Sequence, residues 1–330
     1  MKSIPFLDRP VAMLLDFGMC LAMNAVQSRH RLDPGSRGKL EEYIARCEAM
    51  TRDEYYALPP VEPGSPPAEA GLRQLSWPSP VRTAYPENNQ TRIDLFPCGA
   101  GWTSPTVIML HALMSASDTG YRQWAKKFNS LGWNACFVHL PYHYSRKPAG
   151  FVNGELAISA DLVRTAEGLR QGVLELRQLM QCLRERGCRG FGLWASSYGA
   201  WIGALLGFIE HDFRFMALME AILNIEHAIW KGGASVVLRR ELTGAGIDHA
   251  LVERHFHLTS PLDALPLCGG EKILFASGDY DRIAPREEIE KLHRKWTGSE
   301  LLHVPQGHFG NRMMPAVFAR LKARGDFRAF

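Results

Sequence analysis

The chain has 330 residues, 46 % of them hydrophobic, and a formal charge of only +4, which allows roughly two domains or one large α/β unit with insertions. No stripe of Lys and Arg stands out, so nucleic acid is excluded as an expected partner. The seven cysteines (Cys20, Cys47, Cys98, Cys136, Cys182, Cys188, Cys268) form no CxxC and no regular spacing; they mark no zinc site and read as reduced, buried thiols of a cytoplasmic protein.

Residues 1–58 read as helical. The stretch "VAMLLDFGMCLAMNAV" (11–26) is as apolar as a signal-peptide core, but Asp16 interrupts it and it is short for a membrane span. An amphipathic or buried helix is expected there, with secretion or membrane contact as the minority reading. "GSRGKLEEYIARCEAMTRDEYYAL" (35–58) places Leu40, Tyr43, Ile44 and Cys47 on one helical face. "PPVEPGSPPAEAG" (59–71) is broken by five prolines and reads as a linker. Residues 1–79 are therefore assigned to a helical extension plus linker, and 80–330 to one domain.

From residue 80 the pattern changes to short apolar runs alternating with helices. "VRTAYPENNQTRIDLFP" (81–97) suggests two strands about a polar turn. "PTVIMLHA" (105–112), "NACFVHLP" (134–141), "GFGLWA" (190–195), "RFMALMEA" (214–221), "KILFASG" (272–278) and "ELLHVP" (300–305) read as buried strands. Helices are expected at 121–133, 156–187, from 198, at 286–296 and at the C-terminus, with a helical insertion at 223–265. Such alternation implies right-handed crossovers and a mostly parallel sheet with helices on both faces. Sites in such sheets form at the carboxyl ends of the strands. The insertions at 142–157 and 223–265 directly follow strands at that edge, so both are expected to cap it.

At "GLWASSYGAWIG" (192–203) two serines stand at a strand-to-helix joint. A nucleophile at such a sharp turn needs small residues two before and two after it. Ser197 has Ala195 and Gly199; Ser196 would have Trp194 and Tyr198, which do not fit. Ser197 is the candidate nucleophile, facing the N-terminus of the next helix, whose dipole suits an oxyanion. A serine needs a base, and the base a carboxylate to orient it. "KILFASGDYDRIAP" offers Asp281 after a strand, and "LLHVPQGHFG" offers His308 after the last one.

These motifs, in the order Ser, acid, His, each just after a strand, resemble the α/β-hydrolase superfamily over about residues 80–325. The resemblance implies an α/β-hydrolase fold with Ser197 as nucleophile, Asp281 as acid and His308 as general base. It also implies an oxyanion hole from the backbone N–H of Tyr198 and a second N–H in "HALM" (111–114), assigned to Leu113 with Met114 as runner-up. Ala112 stands where the family often has glycine. "LPYHYSRKP" (140–148) is similar to the P-Y-Y-G-x-R-K-P stretch of the α/β-hydrolase domain-containing protein 18 group.

Competing residues have simpler roles. Asp279 reads as a turn former, Glu220 is an alternative acid at the end of the preceding strand, and His303 lies inside a strand. His111 suits a structural hydrogen bond, and His255 and His257 lack a third metal ligand. Tyr142 and His143 follow a strand end and are expected either to line the substrate pocket or to pack the connection. The function expected is hydrolysis of a small-molecule carboxylic ester through an acyl-serine, with no cofactor or metal. An acyltransferase with the same triad and a non-catalytic binding protein are the alternatives. Oligomeric state is left open.

Overall fold

A computed structural model describes residues 5–59, 73–99 and 101–328; most of the proline-rich stretch read as a linker, 60–71, lies outside the described residues. Among these residues eight strands form one sheet: β1 (Gln74–Pro78), β2 (Gln90–Phe96), β3 (Thr106–Leu110), β4 (Asn134–Val138), β5 (Phe191–Ser196), β6 (Phe213–Met219), β7 (Ile273–Gly278) and β8 (Glu300–Val304). Their order is β1-β2-β4-β3-β5-β6-β7-β8. β2 runs antiparallel to β1 and β4, and every pair from β4 to β8 is parallel.

The unbroken apolar runs follow from burial on both faces. Side chains alternate across a strand, so the register sorts them into two rows. Ile108, Leu193, Met216 and Ile273 lie side by side and face the helices Leu162–Glu185, Tyr198–Leu206 and Arg286–Lys295. One residue on, Met109, Trp194, Ala217 and Leu274 face the helices Thr119–Asn129 and Met313–Arg324. Gly192 interrupts β5 because a Cβ there would sit 2.4 Å from the Phe215 ring.

The first strand is not where the sequence pattern put it. β1 is Gln74–Pro78, inside the stretch assigned to the extension and linker, so the sheet begins before residue 80. Residues 86–89 form a 3-10 turn instead of a simple hairpin loop. β1 is short, buries only Leu75 and Trp77, and ends in a proline, which an edge strand tolerates because one of its sides needs no ladder hydrogen bonds. That combination gives little periodic signal.

The extension is helical: Pro5–Gln27, Ser36–Glu48 and Arg52–Tyr55. The second of these buries Leu40, Tyr43, Ile44 and Cys47. The first lies against the insertion that follows β6, where Asn24 donates to Gly233 O and accepts from Val237 N. That insertion contains the helices Ile225–Trp230, Val236–Gly244 and His249–His255.

The connection after β4 is fastened from below. Arg146 is fully buried and donates to Glu175 through both terminal nitrogens, at 2.5 and 2.8 Å, as well as to His139 O and Asn88 O. Removing one member of a buried pair strands the other charge in a medium that cannot solvate it. Glu175→Ala is expected to lower stability by about 3–5 kcal/mol, measured as a shift in the denaturant midpoint; an unchanged midpoint would contradict this role.

Candidate active site

Ser197 sits between β5 and the helix Tyr198–Leu206 with φ 51° and ψ −115°. Its N–H donates to Met219 O at 2.8 Å, and Gly199 N donates to His111 O at 3.1 Å. A Cβ on Gly199 would lie 2.6 Å from His111 O, so only glycine lets the turn approach β3. The smallness required two residues after Ser197 thus has a visible cause. The Ser197 side chain does not cap its helix. Its Oγ lies 2.9 Å from His308 Nε2, and His308 Nδ1 lies 2.8 Å from Asp281 Oδ2. The other oxygen of Asp281 accepts from Ile283 N and Ala284 N, both at 2.8 Å. All three side chains are buried. The structure therefore brings Ser197, His308 and Asp281 into one chain of hydrogen bonds.

The competing residues fall elsewhere. Ser196 ends β5 and lines a cavity beside the triad. Glu220, at the end of β6 with φ 50°, accepts from Gln306 Nε2 at 2.6 Å. Gln306 Oε1 in turn accepts from Arg312 N and Met313 N, which fixes the loop that carries His308. His303 lies in β8, within reach of Ser277 Oγ. His111 accepts from Leu140 N with Nε2 and lies 2.9 Å from Ala112 O with Nδ1, a structural hydrogen-bonding role.

Tyr198 is the first residue of its helix, so its N–H points out of the helix start, where such groups lack an intrahelical acceptor. In the facing loop, Met114 N donates to His143 Nε2 at 3.3 Å. That occupies the N–H of Met114, the runner-up donor. His143 is fully buried, packs its ring against Tyr198 at 5.7 Å, and is held neutral because burial pushes its pKa down to about 4. Gly154 gives it room, since a Cβ there would lie 2.2 Å from Nε2.

Tyr142 and His143, expected either to line the substrate pocket or to pack the connection, do not line the cavity beside His308. The cavity beside His308, about 800 Å³, is lined by residues that include Leu15, Ala112, Ser196, Glu220 and Met314. His143 is instead part of the scaffold under the loop 111–114. Tyr142 is buried against Tyr85 and edges a separate cleft near Arg164. Both positions follow β4, but the chain there turns inward, with Tyr142 at φ 66°.

Sequence reasoning missed Asp16. This buried carboxylate reaches in from the N-terminal helix and accepts from His308 N at 3.1 Å, Phe309 N at 3.3 Å and Arg282 N at 3.4 Å. It bridges the loop after β7, which holds Asp281, to the loop after β8, which holds His308. Its only signal was being the lone charge in an apolar run.

Burial disfavours the His308 imidazolium, but the facing carboxylates of Asp281, Glu220 and Asp16 outweigh that and raise its pKa to about 9. Burial, helped by the Asp281 charge, pushes the Glu220 carboxyl up to about 8 against the pull of His308 and Gln306. Burial also raises Asp16, against the N–H groups that it accepts from.

No family model matches the chain. Two curated relatives, uncharacterised proteins from two strains of Mycobacterium tuberculosis, are each 28 % identical over 202 residues, or 58 % of this chain and 45 % of the relative. The chain thus spans about half the length of the curated relatives it matches. Among solved structures, acetyl xylan esterase 1 from Thermoanaerobacterium sp. superposes with a TM-score of 0.57 at 12 % identity, over 87 % of this chain and 92 % of that one. An acetyl xylan esterase from Paenibacillus sp. R4 gives 0.54 at 13 % identity, over 77 % and 89 %. The α/β hydrolase GrgF from Penicillium sp. sh18 gives 0.50 at 12 % identity, over 78 % and 98 %. The strand order, the reversed second strand and these superpositions agree: the chain has the α/β-hydrolase fold.

Proposed function

We propose that the chain is a serine hydrolase that cleaves a carboxylic ester through an acyl-serine intermediate. The observation that carries this reading is the hydrogen-bond chain Ser197–His308–Asp281 at a strained strand-to-helix turn. Two of the fold neighbours are named as esterases, which agrees with it.

In this scheme neutral His308 accepts the Ser197 proton at Nε2 as Oγ attacks the ester carbonyl. The Tyr198 and Leu113 N–H groups stabilise the oxyanion as its charge develops. The tetrahedral adduct collapses, His308 gives its proton to the departing alcohol, and the acyl group stays on Ser197. Water then attacks the acyl-serine with His308 again as base, releasing the carboxylic acid. Asp281 fixes the tautomer by accepting at Nδ1 and stabilises the imidazolium. Asp16 is a positioning residue that holds the acid and base loops together.

Ser197→Ala is expected to abolish fluorophosphonate labelling and to cost about 10⁶-fold in kcat on p-nitrophenyl acetate; an active, folded variant would refute the scheme. His308 must be neutral to act, so kcat/KM should climb with pH up to about 9. Stability runs oppositely: the stabilisation from the carboxylates around the imidazolium is full below about pH 6.5 and is lost as pH rises through about 9. Glu220→Gln removes one of those carboxylates and should move the activity rise to lower pH; an unmoved profile would contradict the assignment. Asp16→Asn should lower kcat by about 100-fold through misplacement of His308, with KM nearly unchanged. A fall in stability at unchanged kcat would make Asp16 purely structural.

A further inference from the structure

Every residue between Pro10 and Ala25 that faces solvent is apolar or glycine. Val11, Leu14, Leu15, Phe17 and Leu21 are between 47 % and 72 % exposed. This inverts the usual pattern, in which a surface helix turns its polar face to water. The helix instead turns Asp16 inward to the triad loops and a charge-free strip outward. Contiguous apolar surface of this kind marks an interaction site.

From the outer face of the N-terminal helix we infer a docking surface for an anionic phospholipid membrane, from which a lipid-held ester reaches the triad. Basic groups stand at both ends of the strip, Arg9 before it and Arg29 and Arg31 after it, and Asp16 is the one acid between residues 9 and 32. Arg29 and Arg31 pair with Glu155 and Glu241, yet both stay about half exposed or more. Headgroup phosphates complement such flanking charges, while the strip enters the acyl boundary. A second copy fits poorly: the strip is about 24 Å long and about 10 Å wide, roughly 240 Å², against about 800 Å² per partner in a stable interface. The segment Arg9–Gln27 is long and apolar enough to cross a bilayer. Its Asp16 face is committed to His308 and Phe309, however, and one free face suits lying in the interface. Leu15 belongs both to the strip and to the cavity beside His308, so the two are continuous. The membrane assignment stands on the strip alone; the ester as cargo rests on the function proposed above.

The test compares the full chain with the triple variant Leu14→Ser, Phe17→Ser, Leu21→Ser, which leaves Leu15 intact. The wild-type protein should sediment with vesicles of equimolar phosphatidylcholine and phosphatidylglycerol, and at least about tenfold less of the variant should do so. Both should cleave soluble p-nitrophenyl acetate equally. Sedimentation of the wild type should weaken with phosphatidylcholine alone; equal binding would overturn the anionic assignment. Wild-type protein that ignores both vesicles, or a variant that binds as well, overturns the proposal. So does light scattering that finds a wild-type dimer which the variant breaks. Ser197→Ala should bind vesicles like the wild type. Vesicle binding without ester cleavage would defeat the hydrolase reading alone, and cleavage without vesicle binding would defeat the docking surface alone.

Discussion

Holding Ser197 at φ 51° costs a residue with a Cβ of order 1–3 kcal/mol, and three strands are arranged to enforce it. Met219 O at the end of β6 takes the Ser197 N–H, and His111 O, just past β3, takes that of Gly199. Gly199 then fits against the β3 backbone where no side chain would. The turn cannot relax without breaking the sheet on both sides of β5. Because it cannot, Oγ stands clear of its own helix and points at His308. The order of strands and the smallness of the residues around the serine both serve that single direction.

Around His308 the fold sets two kinds of environment side by side. Three carboxylates from distant parts of the chain, Asp16, Glu220 and Asp281, converge on one imidazole and favour its charged form. On the other side of the serine, His143 and His111 are buried without a carboxylate and are kept neutral. The first histidine is poised to carry a proton. The other two act as spacers whose hydrogen bonds shape the loop 111–114. Burial is common to all three; the nearby charges separate them.

The central sheet was legible because its strands are buried on both faces and so stand out as short apolar blocks. Ser197, Asp281 and His308 were legible because each sits just beyond such a block, at the edge where sites form. The edge strand β1 was obscure, since two apolar residues and a proline make almost no pattern. The burial of Tyr142 and His143 was not legible, because position after a strand says nothing about which way a left-handed residue such as Tyr142 turns the chain. Asp16 stood in plain view as a lone acid in an apolar helix, but its partners lie nearly three hundred residues away, a distance that no local pattern spans.

The link between Asp16 and His308 has a bearing on how the protein comes into being. The contact closes a separation of 292 residues, so the carboxylate on the helix Pro5–Gln27 has no partner until the loop after β8 has been made. Until then that helix carries an apolar outer face and an acid without those N–H partners. Docking it must follow translation of that loop, because the N–H groups of His308 and Phe309 that Asp16 accepts from belong to it. The hydrogen-bond chain Ser197–His308–Asp281 cannot reach its final geometry before then.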